Sequence, residues 1–173
     1  MDVRLTSPPA EETPSRRQFL KRTAMGVGGL AVAASAGPLV ACSATRQEPL
    51  GVALVGLGTY ATGQLGPALQ ETERCYLAGI VTGTPSKADA WMQQYDIPAS
   101  RVYDYETFDD IANNDDIDII YIVLPNGLHA EYTIRAAEAG KHVICEKPMA
   151  TSVADCRRMI AACERHNRKQ SIG

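Results

Sequence analysis

From residue 50 onward the chain alternates between short, dense apolar runs and longer segments whose apolar positions recur every three or four residues. Residues 50–57 (LGVALVGL) form a continuous apolar run closing on glycine, which predicts a buried parallel strand. A helix is predicted over 61–72, a second strand over 76–82, and a second helix from Pro85 to about Tyr95. Pro85 stands at the first helical position, where a missing N–H costs nothing. Val102 and Tyr103 read as a short third strand, 107–112 as a short helix, and the β-branched run 118–124 (DIIYIVL) as a fourth strand. A helix over 128–139 places Ala130, Ile134 and Ala137 on one side, with Gly140 as its stop. A fifth strand follows at 142–145. Ser152 then opens the last helix, with Asp155 three residues on as a capping box. Along that helix Val153, Cys156, Met159, Ile160 and Cys163 read as core, and 170–173 begins a sixth strand. This order predicts an α/β fold: a doubly wound parallel sheet with helices on both faces, and a ligand site beyond the C-terminal strand ends.

The first 42 residues follow a different pattern. A polar, Pro-rich start leads to Ser15-Arg16-Arg17-Gln18-Phe19-Leu20-Lys21 and then a weakly apolar, Gly/Ala-rich stretch over 24–41. A basic start, a short apolar run and small residues read as targeting rather than fold. The paired arginines resemble the twin-arginine export signal of bacteria, so the twin-arginine machinery is an expected partner and the periplasm or cell envelope the expected location. Two ends of this segment fit. Ala34-Ser35-Ala36 matches signal-peptidase cleavage, and Leu39-Val40-Ala41-Cys42 resembles a lipobox that would anchor the mature chain through lipid on Cys42. Residues 43–49 would then be a polar linker and 50–173 the folded domain. No run of about 18 strongly apolar residues exists, so a spanning helix is not expected.

Charge supports the same division. Residues 1–42 hold five Lys/Arg against three Asp/Glu, and 43–173 hold twelve against seventeen. An acidic domain without a basic cluster argues against a nucleic-acid partner. The cysteines form no C-x-x-C pair and no metal spacing, so no metal is expected.

Gly56-Leu57-Gly58-Thr59-Tyr60-Ala61 is G-x-G-x-x-A, placed between the first strand and the first helix. Gly56 would allow the tight turn, Gly58 the approach of a pyrophosphate, and Ala61 close packing of the helix, whose N-terminal N–H groups attract phosphate. A Rossmann-type dinucleotide site explains this placement; a methyltransferase that binds S-adenosylmethionine can show a similar loop. The second strand ends Val81-Thr82-Gly83-Thr84-Pro85-Ser86-Lys87, with the nearest acids at Glu73 and Asp89. An NAD enzyme usually holds the ribose 2′-hydroxyl with a carboxylate at that tip. Hydroxyls from Thr82, Thr84 and Ser86, with the Lys87 charge, suit a 2′-phosphate instead. NADP is the expected cofactor and NAD the alternative, while Lys87 reads equally as a solvated helix residue.

His142-Val143-Ile144-Cys145-Glu146-Lys147-Pro148 puts Glu-Lys-Pro at the end of the fifth strand. Leu124-Pro125-Asn126 ends the fourth, followed by Leu128-His129-Ala130-Glu131, and Val102-Tyr103-Asp104-Tyr105 precedes both. This ordered set resembles the Gfo/Idh/MocA family of oxidoreductases over residues 50–173. The resemblance implies an NAD(P)-dependent enzyme acting on a sugar or polyol. Lys147 would bond a substrate hydroxyl and assist proton movement, and Glu146 would lie near the nicotinamide and hold the lysine. Pro125, Asn126 and His129 would line the nicotinamide ribose. Pro148 is often cis in the family. An aromatic at Tyr60 would cover the cofactor or pack on the next loop. The family also carries a second α/β domain with most of the substrate pocket, through which its members associate. The chain is therefore expected to be the cofactor-binding half of a longer, homo-oligomeric enzyme, inactive alone. A non-catalytic dinucleotide-binding module is the competing reading, and retention of Lys147 favours the enzyme.

Overall fold

The computed structural model describes residues 48–173. The expected export signal, both candidate processing sites and most of the expected 43–49 linker lie outside the described residues. Glu48 and Pro49 are exposed and irregular.

The elements run β1 (Leu50–Val55), a π-helical turn (Ala61–Leu65) continuing into α1 (Gly66–Glu71), β2 (Cys75–Val81) and α2 (Pro85–Tyr95). Then come β3 (Val102–Tyr103), a 3-10 segment (Phe108–Asn113) and β4 (Ile119–Ile122). A 3-10 turn (Asn126–Leu128) leads into α3 (His129–Glu138), followed by β5 (His142–Cys145), α4 (Val153–Arg165) and β6 (Gln170–Ile172). All strand pairs are parallel, in the order β3-β2-β1-β4-β5-β6. The order reverses between β1 and β4, and a crevice opens at their C-terminal ends, as doubly wound sheets require.

The sheet separates two apolar layers. On one face Leu54, Leu57 and Ile80 pack against Ala61, Trp91 and Ile97. On the other, Ala53, Val55, Ile120, Ile122 and Val143 meet Phe108, Tyr132, Ala136 and Met159. Alternate residues of β1 thus serve opposite layers, which is why its sequence is apolar throughout rather than alternating. Arg135 sits over the Phe108 and Tyr132 rings, 4.8 and 5.0 Å from their centroids, and its Nε donates to Asp109 at 2.9 Å. This pins the 3-10 segment to α3.

Local chemistry explains where the elements end. α2 starts on Pro85 and stops at Asp96, which takes a left-handed φ of 53° while its N–H bonds the Met92 carbonyl. Gly140, at φ 75°, follows α3. Ser152 caps α4: its Oγ accepts from the Asp155 N–H at 3.1 Å and donates to the Asp155 carboxylate at 2.8 Å.

Three expectations need correction. The helix expected over 61–72 opens as a π turn, because Pro67 has no N–H to donate and its ring crowds the carbonyl four residues back. The expected helix over 107–112 is a 3-10 segment. Val153 and Ile160, read as core, are 69% and 45% exposed, since the buried face of α4 is Met159, Ala162 and Cys163.

Candidate dinucleotide site

At the end of β1 the chain turns through Gly56 at φ 93°, a conformation that side chains rarely adopt. A Cβ there would also stand 2.6 Å from the Val123 carbonyl oxygen, so the fold itself demands glycine. Gly58 differs. A Cβ at Gly58 would meet nothing within 4 Å, so no neighbour in the protein requires its absence. The open space lies at the start of the helical run, where Thr62 N–H bonds the Gly58 carbonyl at 2.9 Å. Unpaired N–H groups and the helix dipole favour an anion there. A cradle kept open by glycine at a helix start fits a pyrophosphate. Ala61 is fully buried, so it seats the helix on the sheet, while Thr59 and Tyr60 are exposed beside the loop.

A cleft of about 460 Å³ continues from the loop. Gly56, Leu57 and Gly58 floor it, Thr82, Gly83, Thr84 and Lys87 form one wall, and Val123, Leu124 and Pro125 form the other. No carboxylate lines it. The Thr82 hydroxyl accepts from the Thr84 N–H at 3.3 Å, which folds the tip of β2. Lys87 Nζ donates to the Leu57 carbonyl at 3.0 Å, so its ammonium reaches across the cleft mouth to the glycine loop. The donor set on this wall is cationic and hydroxylic, as a phosphate on the adenosine ribose requires and a free 2′-hydroxyl does not.

Tyr105 also lines the cleft. The Asp104 carboxylate accepts from the N–H groups of Glu106 and Thr107 at 2.9 and 2.7 Å, and those bonds hold it below the usual carboxylate range. The resulting turn presents Tyr105 toward Gly83, where an added Cβ would be 3.1 Å from its ring. Tyr105 stacks edge-on against Tyr132 at 5.7 Å, and burial raises its phenol pKa, so it is neutral. Its string Val102-Tyr103-Asp104-Tyr105 was visible in the sequence, but nothing there showed which tyrosine faces the ligand.

The tips of β4 and β5 carry the remaining candidates. Pro125, Asn126 and Lys147 are exposed and Glu146 is half-buried. Asn126, Glu146 and Lys147 lie outside the lining of the cleft, which is formed by the loops after β1, β2, β3 and β4. The Lys147–Pro148 peptide is cis. His129 does not line the nicotinamide ribose as the resemblance implied. It is completely buried, with Nδ1 2.8 Å from the Pro148 carbonyl and Nε2 2.8 Å from the Leu124 carbonyl. A neutral imidazole donates through one nitrogen only, so one of these carbonyls accepts a hydrogen bond while the other is in close contact, and the buried ring bridges the β4 tip and the Glu-Lys-Pro turn.

Cys145, directly before Glu146, is buried, and burial pushes its thiol up to about 11. Burial raises Cys163 as well. Neither supplies a thiolate near neutral pH. Among the described residues no group of three or more His, Cys, Asp or Glu is placed to hold a metal ion. No described helix is long and apolar enough to cross a membrane.

Sheet order, glycine loop and cleft together define an NAD(P)-binding Rossmann domain. The family model described as "Oxidoreductase family, NAD-binding Rossmann fold" matches residues 50–173, and the chain belongs to that family, Gfo/Idh/MocA. The chain is 34% identical over 120 residues to a D-xylose 1-dehydrogenase [NADP(+)] of Haloarcula marismortui, covering 69% of this chain and 33% of that protein. Among solved structures it is similar to an aldose-aldose oxidoreductase from Caulobacter crescentus, crystallised with glycerol, at 54% identity and TM-score 0.71. That match covers 72% of this chain and 37% of the other. A 3-ketoreductase from Actinomadura kijaniata in complex with NADP matches at 27% identity and TM-score 0.64, covering 72% and 38%. The chain therefore spans roughly a third of the length of these relatives.

Proposed function

We propose that this chain is the cofactor-binding part of an exported oxidoreductase that moves hydride between NADP and sugars or polyols. The carrying observation is the wall of the cleft: Lys87 beside Thr82 and Thr84, facing the Gly58 cradle, with no carboxylate among the lining residues. A carboxylate at that tip would repel a 2′-phosphate, whereas an ammonium and hydroxyls attract it. NADP is the preferred cofactor on this ground and NAD the alternative.

The residues divide the work. Gly56 and Gly58 let the backbone reach the pyrophosphate. Lys87 and Thr82 hold the adenosine end. The bound nicotinamide supplies the hydride acceptor or donor. Lys147, at the exposed tip of β5, bonds the substrate hydroxyl and helps its proton leave or return, and Glu146 holds the lysine in place. His129 positions this turn from behind. Residues beyond this chain complete the substrate pocket and exclude water from it.

The relatives' printed activities, on D-xylose and on aldoses, support a sugar as substrate. The ordered motifs resemble those of glucose–fructose oxidoreductase, an enzyme whose cofactor is recycled between two sugars. Such recycling suits export, because free NADP is scarce outside the cytoplasm. Arg16-Arg17 and the mild apolar run support export by the twin-arginine route, with either cleavage after Ala36 or a lipid anchor on Cys42. The complete enzyme is proposed to be a homo-oligomer.

The test is to purify the full-length protein from the cell envelope, titrate it with NADPH and NADH by nicotinamide fluorescence, and then supply pairs of sugars. Tighter NADPH binding, with oxidation of one sugar and reduction of the other, is the expected result. Equal affinity for NADH would sink the cofactor assignment. Binding without turnover on any sugar or polyol would leave a dinucleotide-binding module.

A further inference from the structure

Tyr121 is the third residue of β4 and packs, half-buried, against the apolar layer that holds Leu54 and Trp91. It belongs to none of the motifs above. Its hydroxyl donates to Glu146 Oε1 at 2.8 Å. β4 and the β5 tip therefore meet at this one bond. Burial first, and then the bond to the Glu146 carboxylate, push the phenol well above its ordinary range, so it is a neutral donor at any working pH. The space around the pair is small. A Cβ on Gly173 would lie 3.1 Å from Glu146 Oε1 and 3.4 Å from the Tyr121 hydroxyl, while Gly173 N–H bonds the Cys145 carbonyl at 2.8 Å. The chain leaving β6 thus closes over the pair and narrows where the carboxylate can go.

We propose that Tyr121 is a positioning residue for hydride transfer: its hydroxyl fixes the Glu146 carboxylate, and through it Lys147. The inference rests on the oxidoreductase reading above. A phenol bonded to one carboxylate oxygen sets the rotamer of the acid and leaves Oε2 for other partners. A lysine aimed at a substrate hydroxyl depends on such a fixed neighbour, because a misplacement of about 1 Å costs up to about 100-fold in rate.

The experiment is a double-substitution cycle with Tyr121→Phe and Glu146→Ala in the full-length protein. Phenylalanine keeps the ring and its packing and removes only the hydroxyl. Expected for Tyr121→Phe alone is a fall in kcat of about 10- to 100-fold with the NADPH dissociation constant changed by less than about 2-fold. In the Glu146→Ala background the same change should do nothing further. A second readout needs no turnover. In urea unfolding of the full-length protein the two substitutions should be non-additive, with a coupling of about 10-fold in the folding constant. Equal losses of kcat in both backgrounds, or additive unfolding effects, would refute the pairing. An unchanged kcat in Tyr121→Phe would refute the positioning role while leaving the enzyme intact. A full-length protein that binds NADPH and never turns over would remove the oxidoreductase reading, and this inference with it.

Discussion

Lys87→Ala gives the sharpest test of the cofactor site, because the structure separates its two contributions. Lys87 lies in the first turn of α2 and its Nζ donates to the Leu57 carbonyl at 3.0 Å. Removing it deletes a tether on the glycine loop, which both dinucleotides need equally, and the charge that the proposed site sets beside the 2′-phosphate, which only NADP needs. A charge-assisted hydrogen bond is worth about 1.5–3 kcal/mol. Lys87 is exposed, so screening reduces that to about 1–2 kcal/mol, or about 5- to 30-fold in affinity. The loss should apply to NADPH, with NADH weakened by no more than about 2- to 3-fold for the lost tether. The assay is a fluorescence titration of both dinucleotides at low and at high salt. The NADPH-to-NADH preference should shrink as salt rises in the wild type and be nearly salt-independent in Lys87→Ala. An unchanged ratio of the two affinities would refute the reasoning, whatever happened to either alone.

The two loop glycines should behave oppositely. Gly56→Ala should lower the thermal midpoint, because it forces a side chain to φ 93° and against the Val123 carbonyl. Gly58→Ala should leave the midpoint unchanged and weaken dinucleotide binding by about 10-fold or more, since its Cβ occupies only the ligand's space. Substituting His129 by Ala should destabilise the domain by about 2–5 kcal/mol, read from urea unfolding, because it takes the imidazole donor from a carbonyl at Leu124 or Pro148 and opens a cavity. In native protein, alkylating reagents should label the half-buried Cys75 and Cys156 well before Cys145 and Cys163. Because the Cys145 thiol is raised from 9.0 to about 11 in the fold, its contribution to stability is full below pH 9 and is lost by about pH 11. Cys145→Ala should flatten that part of the stability–pH profile.

Elements whose cause is local were legible in the sequence. Pro85, Gly140 and the Ser152–Asp155 pair mark helix ends by chemistry that acts within four residues, and the structure places them there. The strands at 102–103 and 142–145 were legible for a similar reason, as short β-branched or aromatic runs between turns. Pro67 was visible too, yet the helical periodicity around it hid its effect on the first turn. What escaped depends on neighbours distant in sequence. The family resemblance put His129 at the cofactor, and only its contact with Pro148, nineteen residues on, shows that it faces inward. Tyr121 met Glu146 across twenty-five residues, and Tyr105 acquired its wall position from the Asp104 turn. The misreading of Ile160 has a simpler origin: on a helix, one residue past Met159 is a 100° rotation away from the core.

The order of strands in the sheet also sets the order of events in folding. β1 lies between β2 and β4, but β2 follows it at residues 75–81 and β4 only at residues 119–122. A chain emerging from the ribosome can pair β1 with β2 early, and its first apolar layer, around Leu54, Ile80 and Trp91, can close soon afterwards. The other edge of β1, and the Ala53 and Val55 side chains behind it, stay uncovered until β4, α3 and α4 arrive. Such a half-built sheet presents an unpaired edge and an apolar face at once, the combination that invites association with another chain. Docking of β4 is the longest-range pairing that β1 makes, and it also brings Leu124 and Pro125 opposite Gly56 and creates the cleft. Ligand competence and protection from aggregation arrive in the same event, so a cofactor present during synthesis would favour the docked state over its sticky precursor.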